Sequence, residues 1–329
     1  MLYDLSGAEE EGATVTVAFS SDGGETYDIA PAESVLSGHV GPGVGNGTDR
    51  RIVWNASGSL PAETFRPIFK AAVTATNLSI AGREVTLTLP GGVPLVMVGV
   101  PAGTFQMGSP PTERSRGTEE TLHPVTLTRE YWVGKFEVTQ EQWRAVMGNN
   151  PSLFASCGGG CPVEQVSWDD IHGANGFLAR LNQLLGTTKF RLPTEAEWER
   201  AARGGTQTRF SFGDALDGDD GCGVNAGASP YVWWCSNSGS SVEPAGAKAA
   251  NPYGLFGMHG NVCEWVEDRH ASLSSSPQTD PPGPETGLRR VLRSGSWNYN
   301  LRTTRSAYRF GSLPQGRYSF VGFRLARTR

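Results

Sequence analysis

The chain is 329 residues long and carries 43 glycines and 21 prolines, residues that resist helix interiors and central strands, so long helical bundles and coiled coils are excluded. A hydrophobic fraction of 38% against 19% charged residues is too little charge for a disordered polyelectrolyte and enough apolar side chain for a packed core. The net charge of −5 gives no electrostatic reason to bind nucleic acid or an anionic membrane, and no apolar run approaches the ~18 residues of a membrane span.

Eight of the nine tryptophans fall between Trp132 and Trp297, so the chain is not uniform and two domains are expected. The amino terminus, MLYDLSGAEEEG, has neither the basic nor the apolar region of a signal peptide. Strand-like runs then follow one another: ATVTVAFS (Ala13 to Ser20), an SDGG turn (Ser21 to Gly24), RIVW (Arg51 to Trp54) and FKAAVTAT (Phe69 to Thr76). With no helical period, residues 1–84 are expected to form a small β-sandwich of immunoglobulin or fibronectin type. The segment has one histidine, His39, and no cysteine, which favours a spacer over chemistry.

The texture changes after LTLPGG (Leu87 to Gly92). VPLVMVGVPAGTFQMGS (Val93 to Ser109) is strand-like, and three helix starts follow, Thr139 with Gln142, Ser167 with Asp170 and Thr194 with Glu197, each a hydroxyl three residues before an amide or acid. Gly148 and Gly204 stand where the first and third helices should stop. In the middle helix Ile171, Ala174, Leu178, Leu181 and Leu185 fall on one face. Beyond Gly204 the chain reads as loops and short strands.

Five cysteines argue for two pairs and a remainder. Cys157 and Cys161 are separated by three glycines, and Cys222 and Cys235 flank a loop of the length for which a bridge contributes about 3 kcal/mol. A zinc site is the weaker reading, since there is no CxxC and His172 and His259 are not at ligand spacing. Two disulfides imply an oxidising compartment, hence an exported or cell-surface protein, or else a thermophile's cytosol.

Seven segments occur in order: PAGTFQMGS (Pro101 to Ser109), GKFEVTQEQW (Gly134 to Trp143), PVEQVSWDDI (Pro162 to Ile171), FRLPTEAEWERAARGG (Phe190 to Gly205), NPYGLFGMHGNVCEWVED (Asn251 to Asp268), RVLRSGSW (Arg290 to Trp297) and VGFRLA (Val321 to Ala326). Together they resemble the formylglycine-generating enzyme and sulfatase-modifying factor family. The resemblance implies an α+β, C-type-lectin-like domain over 85–329. Members that oxidise a sulfatase cysteine hold Cu(I) on two cysteines five residues apart, because thiolate is the soft ligand that selects Cu(I). Here Tyr299 and Thr304 fall in those places and no cysteine follows Cys263, so neither copper nor oxidase activity is expected. Cys263 itself stands where the family usually has Trp, which reads as a small buried core residue.

The same resemblance implies a Ca²⁺ held by the Glu264 side chain and the Gly260 and Val262 carbonyls, with Asn225 and Asn237 resembling positions of a second site. Gly257 stands where a carboxylate or amide is expected. The alternative is that Glu264 caps a loop or pairs with an arginine.

Over 290–326 the family framework is kept, including Arg290, Arg293, Trp297, Arg305, Arg309, Phe323 and Arg324, while the departures gather at asparagine-type slots: Tyr299, Thr303, Phe310, Gly311, Ser312, Leu313, Gly316, Tyr318, Ser319 and Phe320. Each of those residue types is reachable from an AAC codon by replacing adenines alone, whereas Gln315 needs another starting codon. The pattern resembles the variable proteins of diversity-generating retroelements. It implies a ligand site made of these positions together with Leu301, Thr304 and Gln315. Rigid aromatics interleaved with Ser, Thr and Gly suit a binding surface, as in antibody paratopes. Tyr299, Phe310 and Tyr318 are expected to be exposed and Phe323 inward, with Phe320 open. The expected protein is a monomeric, non-enzymatic binder of a protein or cell-surface molecule.

Overall fold

The computed structural model describes residues 79–329 and, before them, the strands β1 (Leu2–Leu5), β2 (Ala13–Ser20), β3 (Leu36–Gly38), β4 (Gly41–Val44), β5 (Gly47–Trp54) and β6 (Lys70–Asn77). The chain divides into two compact units, Met1–Ile80 and Ala81–Thr328.

In the first unit β2 is the middle of one antiparallel sheet, β4-β2-β6, and β5 the middle of another, β1-β5-β3. Val15 and Val17 are buried while Thr16 between them is exposed, the period-two pattern of a strand with one face covered. RIVW is the end of β5, and FKAAVTAT lies on β6 displaced by one residue. The SDGG turn and His39 lie outside the described residues.

The boundary falls a few residues before position 84. Gly82 and Arg83 already exchange backbone hydrogen bonds with Gly99, and β7 (Glu84–Leu89) pairs along its whole length with β8 (Val93–Val100). The second unit continues with β9 (Gly103–Met107), β10 (His123–Leu127), β11 (Tyr131–Gly134), β12 (Phe190–Arg191), β13 (Cys263–Arg269), β14 (Gln278–Thr279), β15 (Arg290–Arg293), β16 (Phe310–Ser312), β17 (Val321–Phe323) and β18 (Ala326–Thr328). They form a five-stranded sheet, β12-β18-β11-β8-β7, a three-stranded sheet, β14-β10-β9, and a four-stranded sheet, β16-β15-β13-β17.

The helices are α1 (Gln140–Met147), α2 (Trp168–His172), α3 (Phe177–Leu184) and α4 (Glu195–Arg203); α1, α2 and α4 start where the caps place them, and α3 starts after Gly176 without a side-chain cap. Thr139 with Gln142, Ser167 with Asp170 and Thr194 with Glu197 each close a reciprocal capping box. Gly148 and Gly204 end α1 and α4 in the left-handed conformation. The middle helix is two helices. The chain leaves α2 at Gly173 and re-enters at Gly176, two residues of low helix propensity within four, and a Cβ at Gly173 would lie 2.6 Å from the Asp169 carbonyl oxygen. Ile171, Leu178 and Leu181 still face the core, whereas Ala174 is exposed.

Tryptophans tie the layers together. Trp198 on α4 donates to Glu264 Oε2 at 2.6 Å, Trp168 to the Val266 carbonyl and Trp265 to the Val166 carbonyl, both at 3.0 Å. Each ring buries apolar surface while its N–H is satisfied across a layer.

Candidate functional site

Three of the four strands of the β16-β15-β13-β17 sheet come from the stretch 290–326. Glu264 on β13 pairs with Arg293 of β15 and Gly322 of β17, and Leu292 pairs with Phe310 of β16. These are backbone bonds, so the stretch is held to the scaffold whatever its outward side chains are.

Buried arginines add a second set of restraints. Arg293 donates to Glu195 at 3.0 Å, to Glu199 at 2.7 Å and to the Ser306 carbonyl. Arg305 grips Glu120 through both oxygens, at 2.6 and 2.8 Å, and also Glu113. Arg309 grips both oxygens of Glu195, at 2.6 and 2.8 Å, and the Ala271 carbonyl. All three guanidiniums are at most 5% exposed, and a bidentate pair fixes direction as well as distance. Burial alone would raise Glu120 and Glu195, but the hydrogen bonds and charge of Arg305, and of Arg309 with Arg293, outweigh it and bring both carboxyls below their ordinary values. Trp297 donates to the Ser319 carbonyl at 3.0 Å, and Val321 and Phe323 are buried.

The slots between these anchors are partly open to solvent; Tyr299, Phe310 and Tyr318, expected to be exposed, are half-buried because their rings pack in one cluster. Thr303, Phe310, Gly311, Ser312, Gly316, Ser319 and Phe320 are half-buried, as are Tyr299 and Tyr318, and Leu313 and Gln315 are exposed. Five rings form one continuous band. Tyr308 lies 5.9 Å from Phe310, Phe310 6.1 Å from Tyr299, Tyr299 5.2 Å from Phe320 and Phe320 5.2 Å from Tyr318, all within the range of favourable ring pairs. Beside it, Asn298, Tyr299, Asn300, Thr303, Tyr308 and Phe310 line a hollow of about 230 Å³. Burial pushes the Tyr299 hydroxyl up to about 12, with Tyr308 and Tyr318 adding to the rise, so it stays neutral at physiological pH. The lining is thus uncharged: apolar faces with hydroxyl and amide groups at the rim. Such a surface can bury a neutral or amphipathic group and orient it by hydrogen bonds.

Leu301 and Thr304 do not belong to this surface; both are fully buried. They are the ends of a 3-10 turn, Leu301–Thr304, in which residues three apart share a side, and that side points inward. Leu301 packs with Phe210, Ala228, Val232 and Trp234. Thr304 turns its hydroxyl to the Leu301 carbonyl and its own carbonyl to His259 Nδ1 at 2.8 Å. Asn298 and Asn300 enter the hollow instead. In the sequence they are framework asparagines, and only their position on either side of Tyr299 hints at the role.

The hollow has a stapled seat. Both disulfides, Cys157–Cys161 and Cys222–Cys235, are formed, and Cys263 is free and buried, with burial pushing its thiol well up. The backbone N–H of Cys235 donates to Tyr299, that of Leu301 to Gly221 and that of Arg302 to Asp220, at 2.9 to 3.1 Å. Asp220 is in turn gripped by Arg209 at 2.6 Å.

Residues 94–329 match the sulfatase-modifying factor enzyme 1-like domain. The chain belongs to this family. Variable protein 1 of Treponema denticola superposes with a TM-score of 0.66 at 33% identity, over 75% of this chain and 99% of that one. PvdO from Pseudomonas aeruginosa, 24% identical with a TM-score of 0.61, shares the fold over 74% of this chain and 98% of its own. By sequence the chain is 35% identical over 208 residues to the formylglycine-generating enzyme of Thermomonospora curvata, covering 60% of this chain and 63% of that enzyme. It is 32% identical over 223 residues to the chaperone protein LppX of Paenibacillus barcinonensis, covering 56% of this chain and 75% of the relative. The fold is the α+β, C-type-lectin-like fold of the family.

Within this sulfatase-modifying-factor-like domain four of the residues expected to hold calcium, Glu264, Gly260, Asn225 and Asn237, are engaged by hydrogen bonds within the protein. Both oxygens of Glu264 accept from the Arg324 guanidinium at 2.8 to 3.0 Å, and one also accepts from Trp198. The Gly260 carbonyl accepts from Ser294. Asn225 caps the Ala228 N–H and Asn237 the Trp234 N–H, each at 3.0 Å. Val262 is fully buried. The Glu264 set therefore fits an arginine pair rather than a cation. Gly257 has φ 65° and sits against the Glu137 carboxyl, which would have to move to admit any side chain at 257.

Proposed function

We propose that the protein is a non-enzymatic binding protein, displayed outside the cell, whose stretch 290–326 is a diversified ligand site rewritten by a retroelement. The observation that carries this reading is the sorting of side chains along the stretch. The framework residues Arg293, Arg305, Arg309, Phe323 and Arg324 are buried and bonded, and the altered slots from Tyr299 to Phe320 lie between them at the surface. A core under ordinary constraint has no reason to gather its departures on one face. The likeness to a variable protein supports the same reading.

The ligand would meet the aromatic band and the hollow beside it, with ring area as the source of affinity and Ser, Thr and Gln as adaptable contacts. A protein or other cell-surface molecule is the fitting class. Oxidase chemistry on a sulfatase cysteine finds no thiolate pair, because Tyr299 and Thr304 hold the two places and Cys263 is buried alone.

Sequencing the neighbouring DNA tests the diversification directly. A near-copy of the codons for 290–326 that differs only at adenines, beside a reverse transcriptase, is the expected finding; its absence would remove the mechanism. Incubation with a Cys-X-Pro-X-Arg peptide, oxygen and Cu(I) tests the chemistry, and formylglycine product would overturn the non-enzymatic reading.

A further inference from the structure

A second cavity, of about 270 Å³, opens where the end of β13 meets the first turn of α4, and none of the five band rings lines it. Its volume is just below the ~300–1,000 Å³ of sites for drug-sized ligands. Met107, Ala196, Leu273 and the proline-rich segment Pro281–Pro284 supply apolar walls, with His123 and Gln278 at one side. The outer wall is fixed in place: Asp280 accepts from the Thr128 N–H at 2.8 Å and from its hydroxyl, and β14 pairs with β10.

Asp268 lies in this cavity, 5% exposed. Its Oδ2 accepts from the Glu195 N–H at 2.6 Å, and Oδ1 has no hydrogen-bond partner among the described residues. Gly283, at φ 76°, lies so close that a Cβ would be 2.6 Å from Oδ1, so the wall passes over the carboxyl only because residue 283 has no side chain. Glu195 and Glu197 of α4 and Glu267 of β13 bear on Asp268, as does Arg290 of β15 more weakly, and His123 Nδ1 faces the Thr121 carbonyl. Arg309 is the one guanidinium on the wall, and Glu195 and the Ala271 carbonyl engage all three of its nitrogens. Glu195 and Glu197 are themselves paired with arginines, whereas Asp268 has no cationic partner among the described residues and presents one free oxygen to a chamber with largely apolar walls. Burial first, and then the charges of Glu195, Glu267 and Glu197, raise Asp268 to about 8, so at neutral pH it carries a proton.

We propose that this cavity binds a small organic ammonium with an apolar body, the ammonium on Asp268 and the body against Leu273 and the prolines. Binding converts Asp268 to its carboxylate and releases its proton to solvent. The affinity therefore rises with pH, by up to tenfold per unit between about 6 and 8, while an alkylammonium stays charged throughout.

Calorimetric titration of the whole chain with n-pentylammonium, n-pentanol and pentanoate tests this. The amine is expected to bind at least tenfold more tightly than the alcohol, pentanoate not at all, and the amine's heat to differ between phosphate and MOPS buffers in proportion to one released proton. Asp268→Asn, which keeps an oxygen for the Glu195 N–H and mimics the neutral acid, should melt as the parent does at pH 7 and bind the amine no better than the alcohol. Ser274→Trp, on the exposed rim, should block both ligands. Equal binding of amine and alcohol, no proton release, or undiminished amine binding by either variant would overturn the site, as would no binding of the amine at millimolar concentration.

Discussion

At the scale of single residues, neighbours along 290–326 differ in what their loss would cost. Arg293 is wholly buried between Glu195 and Glu199, so Arg293→Met leaves two carboxylates short of a partner and is expected to cost about 3–5 kcal/mol. Tyr318→Ala removes a half-buried ring whose only side-chain hydrogen bond among the described residues is with Ser312, at 3.3 Å, and is expected to cost about 1 kcal/mol or less. Urea denaturation of the two variants checks the contrast, and a Tyr318 effect as large as that of Arg293 would make the band a core. His259 adds a pH dependence. Burial pushes it down to about 4, the Thr304 hydrogen bond opposing and the charge of Arg203 assisting, while Nε2 receives the Ser211 N–H. Its folded value lies below the unfolded ~6.5, so the stability it contributes is present above that value and lost as pH falls toward 4, by about 3 kcal/mol. Glu120 and Glu195, held low by arginines, extend the loss below pH 4.5. Stability measured between pH 7 and 4, with the His259 titration followed by NMR, checks both the sign and the window.

At the scale of elements, the seat of the hollow depends on the Cys222–Cys235 bridge. The bridged residues and their neighbours supply the backbone partners: Gly221, next to Cys222, accepts from the Leu301 N–H, and the Cys235 N–H donates to the Tyr299 carbonyl. Replacing both cysteines by serine is expected to cost about 3 kcal/mol from loop closure and to speed amide exchange at Leu301 and Arg302 while leaving α4 protected. Hydrogen exchange by mass spectrometry distinguishes this local effect from global loosening. The helix starts were legible because a capping box is local: Thr139, Ser167 and Thr194 meet partners three residues away. The break between α2 and α3 was missed, because the apolar stripe from Ile171 to Leu185 spoke for one helix although Gly173 and Gly176 stand at the break. The packing keeps Ile171, Leu178 and Leu181 inward across the break, while Ala174 turns out of the stripe.

At the scale of the whole molecule, a diversified binding surface requires that the second unit be a frame whose stability is decoupled from its outward residues. Changing Tyr299, Phe310, Leu313, Gln315 and Tyr318 to serine together should cost about 0.5 kcal/mol each. For a unit of this size that lowers Tm by about 5–10 °C and leaves its unfolding cooperative. Differential scanning calorimetry checks this, and loss of the cooperative transition would contradict the separation of frame and surface.

The sequence by itself determined the family, the cysteine pairs and the starts of α1, α2 and α4, since each is written in residues close together or in an ordered set of motifs. Only the tertiary structure decided which way a side chain faces. Leu301 and Thr304 turn inward because a 3-10 turn sets them over Trp234 and His259. Glu264 is taken by Arg324, sixty residues away, and Glu137 occupies the space that Gly257 vacates. The paired cavity walls around Asp268 come from segments far apart in the chain. Burial and charge at a point are sums over everything that folds against it, and no local pattern carries that sum.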